Sequence, residues 1–174
     1  MKAVFFDRDG VLNIPSVLNG KPYAPRKFID FKIYDGVKES LKKIKSAGFF
    51  IVVITNQPDI GNGVVDIKEI NAMHEFLKKE LPIDYIEICP HSQTSNCNCR
   101  KPKPGLIFSA VDKHKIDLSK SWLIGDRWSD IVAGVSSGLK TIFIDHKYTE
   151  KTQNFGPDYV VSTTQKACEL VLSE

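Results

Sequence analysis

Apolar positions along this 174-residue chain follow two rhythms, and the rhythms alternate. Short continuous runs have the composition of strands buried on both faces: Ala3-Val4-Phe5-Phe6, Phe49 to Ile54, Tyr85 to Ile88, Trp122 to Ile124 and Thr141 to Ile144. Between them the spacing is helical. Val37, Leu41 and Ile44 share one face of a helix expected from about Gly36 to Gly48, with lysines opposite and Gly48 as its C-terminal cap. Asp66, with Glu69 three residues later, resembles a capping box opening a helix towards Leu81. Further helices are expected from Gly105 to His114, from Asp130 to Gly138 and through Ala167 to Leu172, with a weak strand near Tyr159 to Val161. Leu12 to Tyr34, rich in Pro and polar residues, reads as irregular. Such alternation predicts an α/β fold, a mostly parallel sheet with helices on both faces. No repeat, low-complexity tract or linker divides the chain, so residues 1–174 read as one domain.

Composition narrows the function classes. At 42% hydrophobic the chain can fill a core, and a formal charge of +3 is small for its length. Lys42, Lys43, Lys45, Lys78 and Lys79 read as solvated helix faces, and no basic-aromatic stripe suggests nucleic acid. No apolar run is long enough to span a bilayer, and the N-terminus lacks a signal-peptide pattern. A cytoplasmic monomer acting on a small molecule is expected. In that compartment the four cysteines favour thiols or metal ligands over disulfides.

The chemistry begins where the first strand ends. Asp7-Arg8-Asp9-Gly10 follows directly on Phe6, and residues i and i+2 of an extended segment point the same way. Asp7 and Asp9 therefore share one small space, and two close carboxylates need a cation between them or a proton on one. A turn or cap would explain Asp-Gly alone, but requires neither the second aspartate nor the strand before it. Other predicted strands end in Thr55-Asn56-Gln57, whose hydroxyl and amides suit phosphate oxygens, and in Gly125-Asp126-Arg127, with Asp130 one helical turn on. Asp126 can join Asp7 around a hard cation such as Mg²⁺. The carboxyl ends of parallel strands are where open α/β sheets bind ligands.

A second cluster is Cys89-Pro90-His91 followed by Cys97-Asn98-Cys99, four soft ligands within eleven positions. Cys89, His91, Cys97 and Cys99 suit a structural Zn²⁺, which takes four such ligands in a tetrahedron. The last ligand immediately precedes Arg100-Lys101-Pro102, so a closed metal site would aim those cations at the carboxylates. Cys168 reads as core, and His74, His114 and His146 as surface or packing residues.

Together Asp7-x-Asp9-Gly10, Thr55-Asn56-Gln57, Cys99-Arg100-Lys101-Pro102 and Gly125-Asp126 resemble the haloacid dehalogenase superfamily of phosphatases. The zinc loop is similar to the branch holding heptose 1,7-bisphosphate and histidinol-phosphate phosphatases. The resemblance implies a Rossmann-like sheet and Mg²⁺-dependent phosphomonoester hydrolysis through an aspartyl-phosphate. It implies Asp7 as nucleophile, Asp9 as general acid/base, Thr55 and Lys101 gripping the transferring phosphoryl, and Arg100 recognising substrate. Asp7, the Asp9 carbonyl and Asp126 would hold Mg²⁺. Lys103 is a rival to Lys101, which keeps the family's offset from the last zinc ligand. No inserted cap domain fits after Asp9 or Thr55, so Leu12–Tyr34, Asn56–Val64 and the zinc loop would select the substrate. The short His91-x5-Cys97 spacing resembles histidinol-phosphate phosphatases. Lys101-Pro102-Lys103-Pro104-Gly105 and Gly20 to Arg26 resemble heptose-bisphosphate phosphatases of sugar-nucleotide pathways, which is the substrate expected here. Lys21, Arg26, Arg100 and Arg127 are candidates for a second phosphate. Histidinol phosphate would want an acidic partner for its amine, and only Asp30 and Asp59 lie near. A non-catalytic zinc-stabilised binding module would leave the three aspartates without a reason.

Overall fold

The computed structural model describes residues 1–149 and 156–174. Six parallel strands form one sheet: β1 (Ala3–Phe6), β4 (Phe50–Asn56), β5 (Tyr85–Cys89), β6 (Trp122–Gly125), β7 (Lys140–Ile144) and β8 (Tyr159–Val161). Their order across the sheet is β5-β4-β1-β6-β7-β8. The chain builds outward from β1 on one side, then crosses back to build on the other. That reversal lies between β1, β4 and β6, and it opens a crevice at their carboxyl ends.

Alternation along β1 divides the core. Val4 and Phe6 pack with Val37, Leu41 and Ile44 of helix α1 (Val37–Ser46) and with Ile70, Met73 and Leu77 of α3 (Ile67–Glu80). Ala167, Cys168 and Val171 of α6 (Thr164–Ser173) join the same cluster. Ala3 and Phe5 face Leu106, Ile107 and Ala110 of α4 (Gly105–His114) and Ile131 and Ala133 of α5 (Trp128–Ser137). Helices thus cover both faces, as the apolar runs predict.

Local details differ from expectation in instructive ways. The stretch from Leu12 to Tyr34 contains an antiparallel hairpin, β2 (Ser16–Leu18) and β3 (Lys21–Tyr23), and one turn of 3-10 helix at Phe28–Asp30. The hairpin is mostly exposed, so it carries no buried apolar run to betray it. A short helix, α2 (Pro58–Gly61), follows β4. Asp66 caps α3 by accepting from Lys68 N, but Glu69 does not complete a capping box; its carboxylate accepts from Phe28 N at 2.7 Å and tethers the 3-10 turn. Helix α5 starts two residues before Asp130, because that side chain reaches back to the Arg127 N–H at 3.0 Å and occupies the third helical position. Ala47 closes α1, and Gly48 takes the left-handed conformation just beyond it, with φ of 81°.

Candidate active site

Asp7 leaves β1 at the sheet's carboxyl edge, and Asp126 leaves the neighbouring β6. With Asp130 on α5 they form a buried cluster in which one oxygen from each lies within 4.8 Å of the others. Two glycines make that approach possible. A Cβ on Gly10 would stand 1.9 Å from Asp126 Oδ2, and one on Gly125 would stand 2.3 Å from the Asp130 Cβ.

Lys101 is the cation inside the cluster. Its buried ammonium lies 2.8 Å from Asp7 Oδ1 and 2.7 Å from Asp130 Oδ1, and donates to Ile54 O at 2.9 Å. Lys103 is directed elsewhere, to Cys97 O at 2.7 Å. Burial opposes the charge of Lys101, but Asp130 and Asp7 outweigh it and raise its pKa. Burial and the neighbouring Asp130 push Asp7 up to about 7, and burial with Asp7 and Asp130 holds Asp126 well above the usual carboxylate range. One lysine against three carboxylates leaves excess negative charge in a buried place. Both Asp126 oxygens are buried without a well-formed hydrogen bond, although the Tyr148 hydroxyl stands close by. A hard divalent cation fits that donor set, because it would supply the missing charge and take up the orphaned oxygens.

Asp9 is held by donors alone. Arg8 Nη2 lies 3.1 and 2.9 Å from its two oxygens, Arg8 Nε 3.2 Å from Oδ2, Asn13 Nδ2 2.9 Å from Oδ1 and Gln57 Nε2 2.8 Å from Oδ2. Gln57 Nε2 also donates to the buried Thr55 hydroxyl at 2.9 Å. The amide expected to serve phosphate therefore links Asp9 to Thr55. Asn56 departs further from its expected role. Its side chain exchanges two hydrogen bonds with the Lys101 backbone, each 3.1 Å, and so fastens the cationic segment to the end of β4.

These residues open into a cavity of about 610 Å³. Lys21, Arg26, Arg100 and Arg127 all line it, as do Asn56 and Gln57. Arg100 Nη1 is buried without a hydrogen-bond partner among the described residues, whereas Arg26 donates to Asp59 at 2.8 Å. Asp59 also lines the cavity; Asp30 does not. Tyr23 and Gln93, which lie in loops expected to select the substrate, also line it, as does Trp128, which sequence did not single out because a lone aromatic carries no spacing signal. Two of the histidines expected at the surface or in packing also have polar partners. His146 donates from Nε2 to the Gly10 carbonyl at 2.7 Å and stacks on Tyr34, while His74 meets Arg8 in the core. His114 does pack, between Phe50 and Tyr85.

Cys89, His91, Cys97 and Cys99 converge as their spacing predicts, with their ligand atoms within 4.8 Å of one another. Cys89 Sγ lies 3.7 Å from Cys97 Sγ and 3.5 Å from His91 Nδ1, which is 3.2 Å from Cys99 Sγ. Tetrahedral bonds of ~2.3 Å to sulfur and ~2.0 Å to nitrogen would give edges of roughly 3.5–3.8 Å, so the donor set fits zinc without large movement. Burial pushes the Cys89 thiol up to about 12, so metal binding there must displace a proton.

The parallel sheet, the carboxylate cluster with its lysine, and the thiol-imidazole loop define a haloacid dehalogenase-like hydrolase. The family model described as HAD-hydrolase-like matches residues 98–167. Among relatives, the D-glycero-β-D-manno-heptose-1,7-bisphosphate 7-phosphatase of Helicobacter pylori (strain ATCC 700392 / 26695) is 39% identical over 145 residues, 80% of each chain. The D-glycero-α-D-manno-heptose-1,7-bisphosphate 7-phosphatase of Photorhabdus laumondii is 34% identical over 169 residues, 88% of this chain and 89% of that one. The crystal structure of D,D-heptose 1,7-bisphosphate phosphatase from B. bronchiseptica, complexed with magnesium and phosphate, superposes with a TM-score of 0.85 at 24% identity, covering 99% of both chains. The chain belongs to the heptose-1,7-bisphosphate 7-phosphatase family of haloacid dehalogenase-like phosphatases.

Proposed function

We propose that this phosphatase removes the C7 phosphate of D-glycero-D-manno-heptose 1,7-bisphosphate by way of a phosphoryl group carried on Asp7. The observation that carries the reading is the placement of Asp7, paired with Lys101, in a cavity whose wall holds four further cationic side chains. A monophosphate needs one cationic grip; four more suit a second phosphate held away from the reacting one. The relatives named above are 7-phosphatases of this sugar, one named for its β and one for its α anomer. Histidinol phosphate is less well served, since Asp59 is the acidic group on the cavity wall nearest that task and Arg26 already engages it.

Asp7 attacks phosphorus in line with the departing C7 oxygen. Lys101 and the Thr55 hydroxyl hold the non-bridging phosphoryl oxygens, cancelling charge that would repel the nucleophile. Asp9 gives a proton to the leaving oxygen, then takes one from the water that attacks the acyl-phosphate; the bond from Asp7 to phosphorus breaks, inorganic phosphate leaves, Asp7 is again a carboxylate and Asp9 has regained its proton. Arg100, Arg127 and Lys21 grip the far phosphate, while Asn56 and Gln57 fix the residues that touch the near one. Asp7, Asp126 and the Asp9 carbonyl would hold Mg²⁺, which when bound supplies charge neutralisation and orients the phosphoryl. Cys89, His91, Cys97 and Cys99 would hold Zn²⁺ and keep their loop in shape. We place the enzyme in the cytoplasm as a single-domain monomer, a setting in which four unpaired cysteines fit reduced thiols and zinc ligation.

The test is phosphate release with Mg²⁺ from both heptose 1,7-bisphosphate anomers, their monophosphates and histidinol phosphate. The bisphosphate is expected to lead in kcat/KM. Histidinol phosphate ahead of both anomers would overturn the substrate, and no release from any sugar phosphate would overturn the phosphatase.

A further inference from the structure

Behind the aspartates, on the side away from the cavity, lies a buried chain of polar contacts that the reaction above does not use. Side chains alternate along extended backbone, so with Asp7 and Asp9 at the cavity, Arg8 between them turns into the core. Its guanidinium is fully buried, and a buried cation is costly unless its donors are engaged. Nε and Nη2 grip Asp9. The Phe31 ring lies 5.5 Å from Cζ. Nη1 finds its partner in His74 Nε2, 3.2 Å away on α3.

That contact fixes the state of the imidazole. A guanidinium only donates, so His74 Nε2 is the acceptor and the ring's single proton sits on Nδ1. The ring is neutral. Burial, then the Arg8 charge, push His74 down to about 4 against the opposing pull of Asp9.

We propose that His74 is a positioning residue for the proton-transfer step: it accepts from Arg8 and thereby fixes the guanidinium that orients the Asp9 carboxylate. The inference rests on the reading of Asp9 as general acid/base. His74 touches neither the cavity nor the carboxylate cluster. Its loss would leave Asp7, Thr55 and Lys101 in place and free Arg8 to seek another acceptor, carrying Asp9 with it. The penalty therefore falls where a proton moves. In the phosphoryl-transfer step it should spare a substrate whose leaving group departs without one, whereas hydrolysis of the acyl-phosphate, in which Asp9 takes a proton, is common to both substrates.

The experiment uses the Mg²⁺-loaded enzyme with a sugar phosphate and with an activated aryl phosphate. His74→Phe keeps the bulk and removes the acceptor. Read in the pre-steady-state burst of leaving-group release, it should slow phosphoryl transfer from the sugar phosphate by roughly 10- to 100-fold, part of the full value of a general acid, while the aryl phosphate burst changes by less than about 3-fold. His74→Gln presents an amide oxygen to Arg8 and should recover most of the loss. Equal losses on both substrates, or none, would overturn the role of His74. Asp9→Asn runs alongside: if it too loses equally on both, the acid/base reading falls and this inference with it. If Asp9→Asn discriminates and His74→Phe does not, only His74 is at fault. A second measurement needs no variant. Nitrogen NMR of the unmodified protein should find His74 neutral with its proton on Nδ1 at pH 7, and a proton on Nε2 would overturn the proposal.

Discussion

Gly10 and Asp126 occupy space that only a residue without a side chain leaves open: a Cβ on Gly10 would sit 1.9 Å from Asp126 Oδ2, and Gly10 has φ of 88°. Gly10→Ala is therefore strained twice, in its backbone and against a carboxylate that is proposed to hold Mg²⁺. The variant should fold, with a stability loss of about 1–3 kcal/mol. Its requirement for Mg²⁺ should rise by roughly 10- to 100-fold, the scale of a disturbed metal support. Titrating activity against Mg²⁺ checks this; an unchanged midpoint would separate Gly10 from the metal site.

Asp7→Asn should abolish turnover, by on the order of 10⁴-fold or more, because an amide cannot form the acyl-phosphate. Circular dichroism and zinc content should match the unmodified protein, since asparagine has the bulk of aspartate and Asp7 is no part of the Cys89-His91-Cys97-Cys99 cluster. Residual phosphate release in protein free of other phosphatases would remove Asp7 from the nucleophile's role.

Asp130 serves both ends of its environment, accepting from the Arg127 N–H and pairing with Lys101. Asp130→Ala should cost about 1–2 kcal/mol through the lost helix cap. It should also lower kcat more than it raises KM, because Lys101 loses one of two anions that hold it against Asp7. Urea melts and steady-state kinetics read the two effects separately. A pure stability loss with wild-type kcat would leave Asp130 a cap and nothing more.

His74 links stability to pH. Its folded pKa is pushed from 6.5 down to about 4, so the unfolded chain takes a proton first as pH falls. Above 6.5 the ring is neutral in both states and the contribution is whole; it drains away between 6.5 and 4, and below 4 the slope ends. At about 1.4 kcal/mol per tenfold change the full swing is about 3 kcal/mol. Arg8, Asp9 and Lys78 are the charged groups that act on the ring. His74→Gln should flatten the fall between pH 7 and 4.5 in denaturant melts by most of that amount. Parallel curves for the two proteins would refute it.

Zinc removal should be a folding event for its loop. Freshly purified protein should carry about one equivalent, as closed tetrahedral ligation implies, and Cys97→Ala or Cys99→Ala should release it with a fall in Tm. Metal below about half an equivalent by elemental analysis would refute the site.

Legibility followed range. β1 could be read because four consecutive apolar residues need no partner to announce themselves, and α1 because its lysines and aliphatics fall on opposite faces. The aspartates and soft ligands could be read because each sits at a strand end or in a tight local spacing. The hairpin β2–β3 could not, being short, exposed and interrupted by Pro22. Nor could the pairing of Arg8 with His74, 66 positions apart, or of Lys101 with Asp130. Such contacts exist only once the sheet has ordered the chain. The protein contacts of Asn56 and Gln57 were hidden in a related way: both line the cavity, and their side chains also meet Lys101, Asp9 and Thr55, which residue type alone does not reveal.

Asn56 and Ile54 between them stitch Lys101 to β4 twice, once by its backbone and once by its ammonium. The sheet, and not the thiol loop, thus dictates where that charge stands. What the loop governs lies one residue earlier and at its crest: Arg100 and Gln93, both on the cavity wall with no such stitching to the sheet. Loosening the loop would then leave the chemistry largely running while blurring the choice of what enters. Strength of turnover and fussiness about the guest are wired to separate parts of the molecule, and a lineage could retune the second without rebuilding the first.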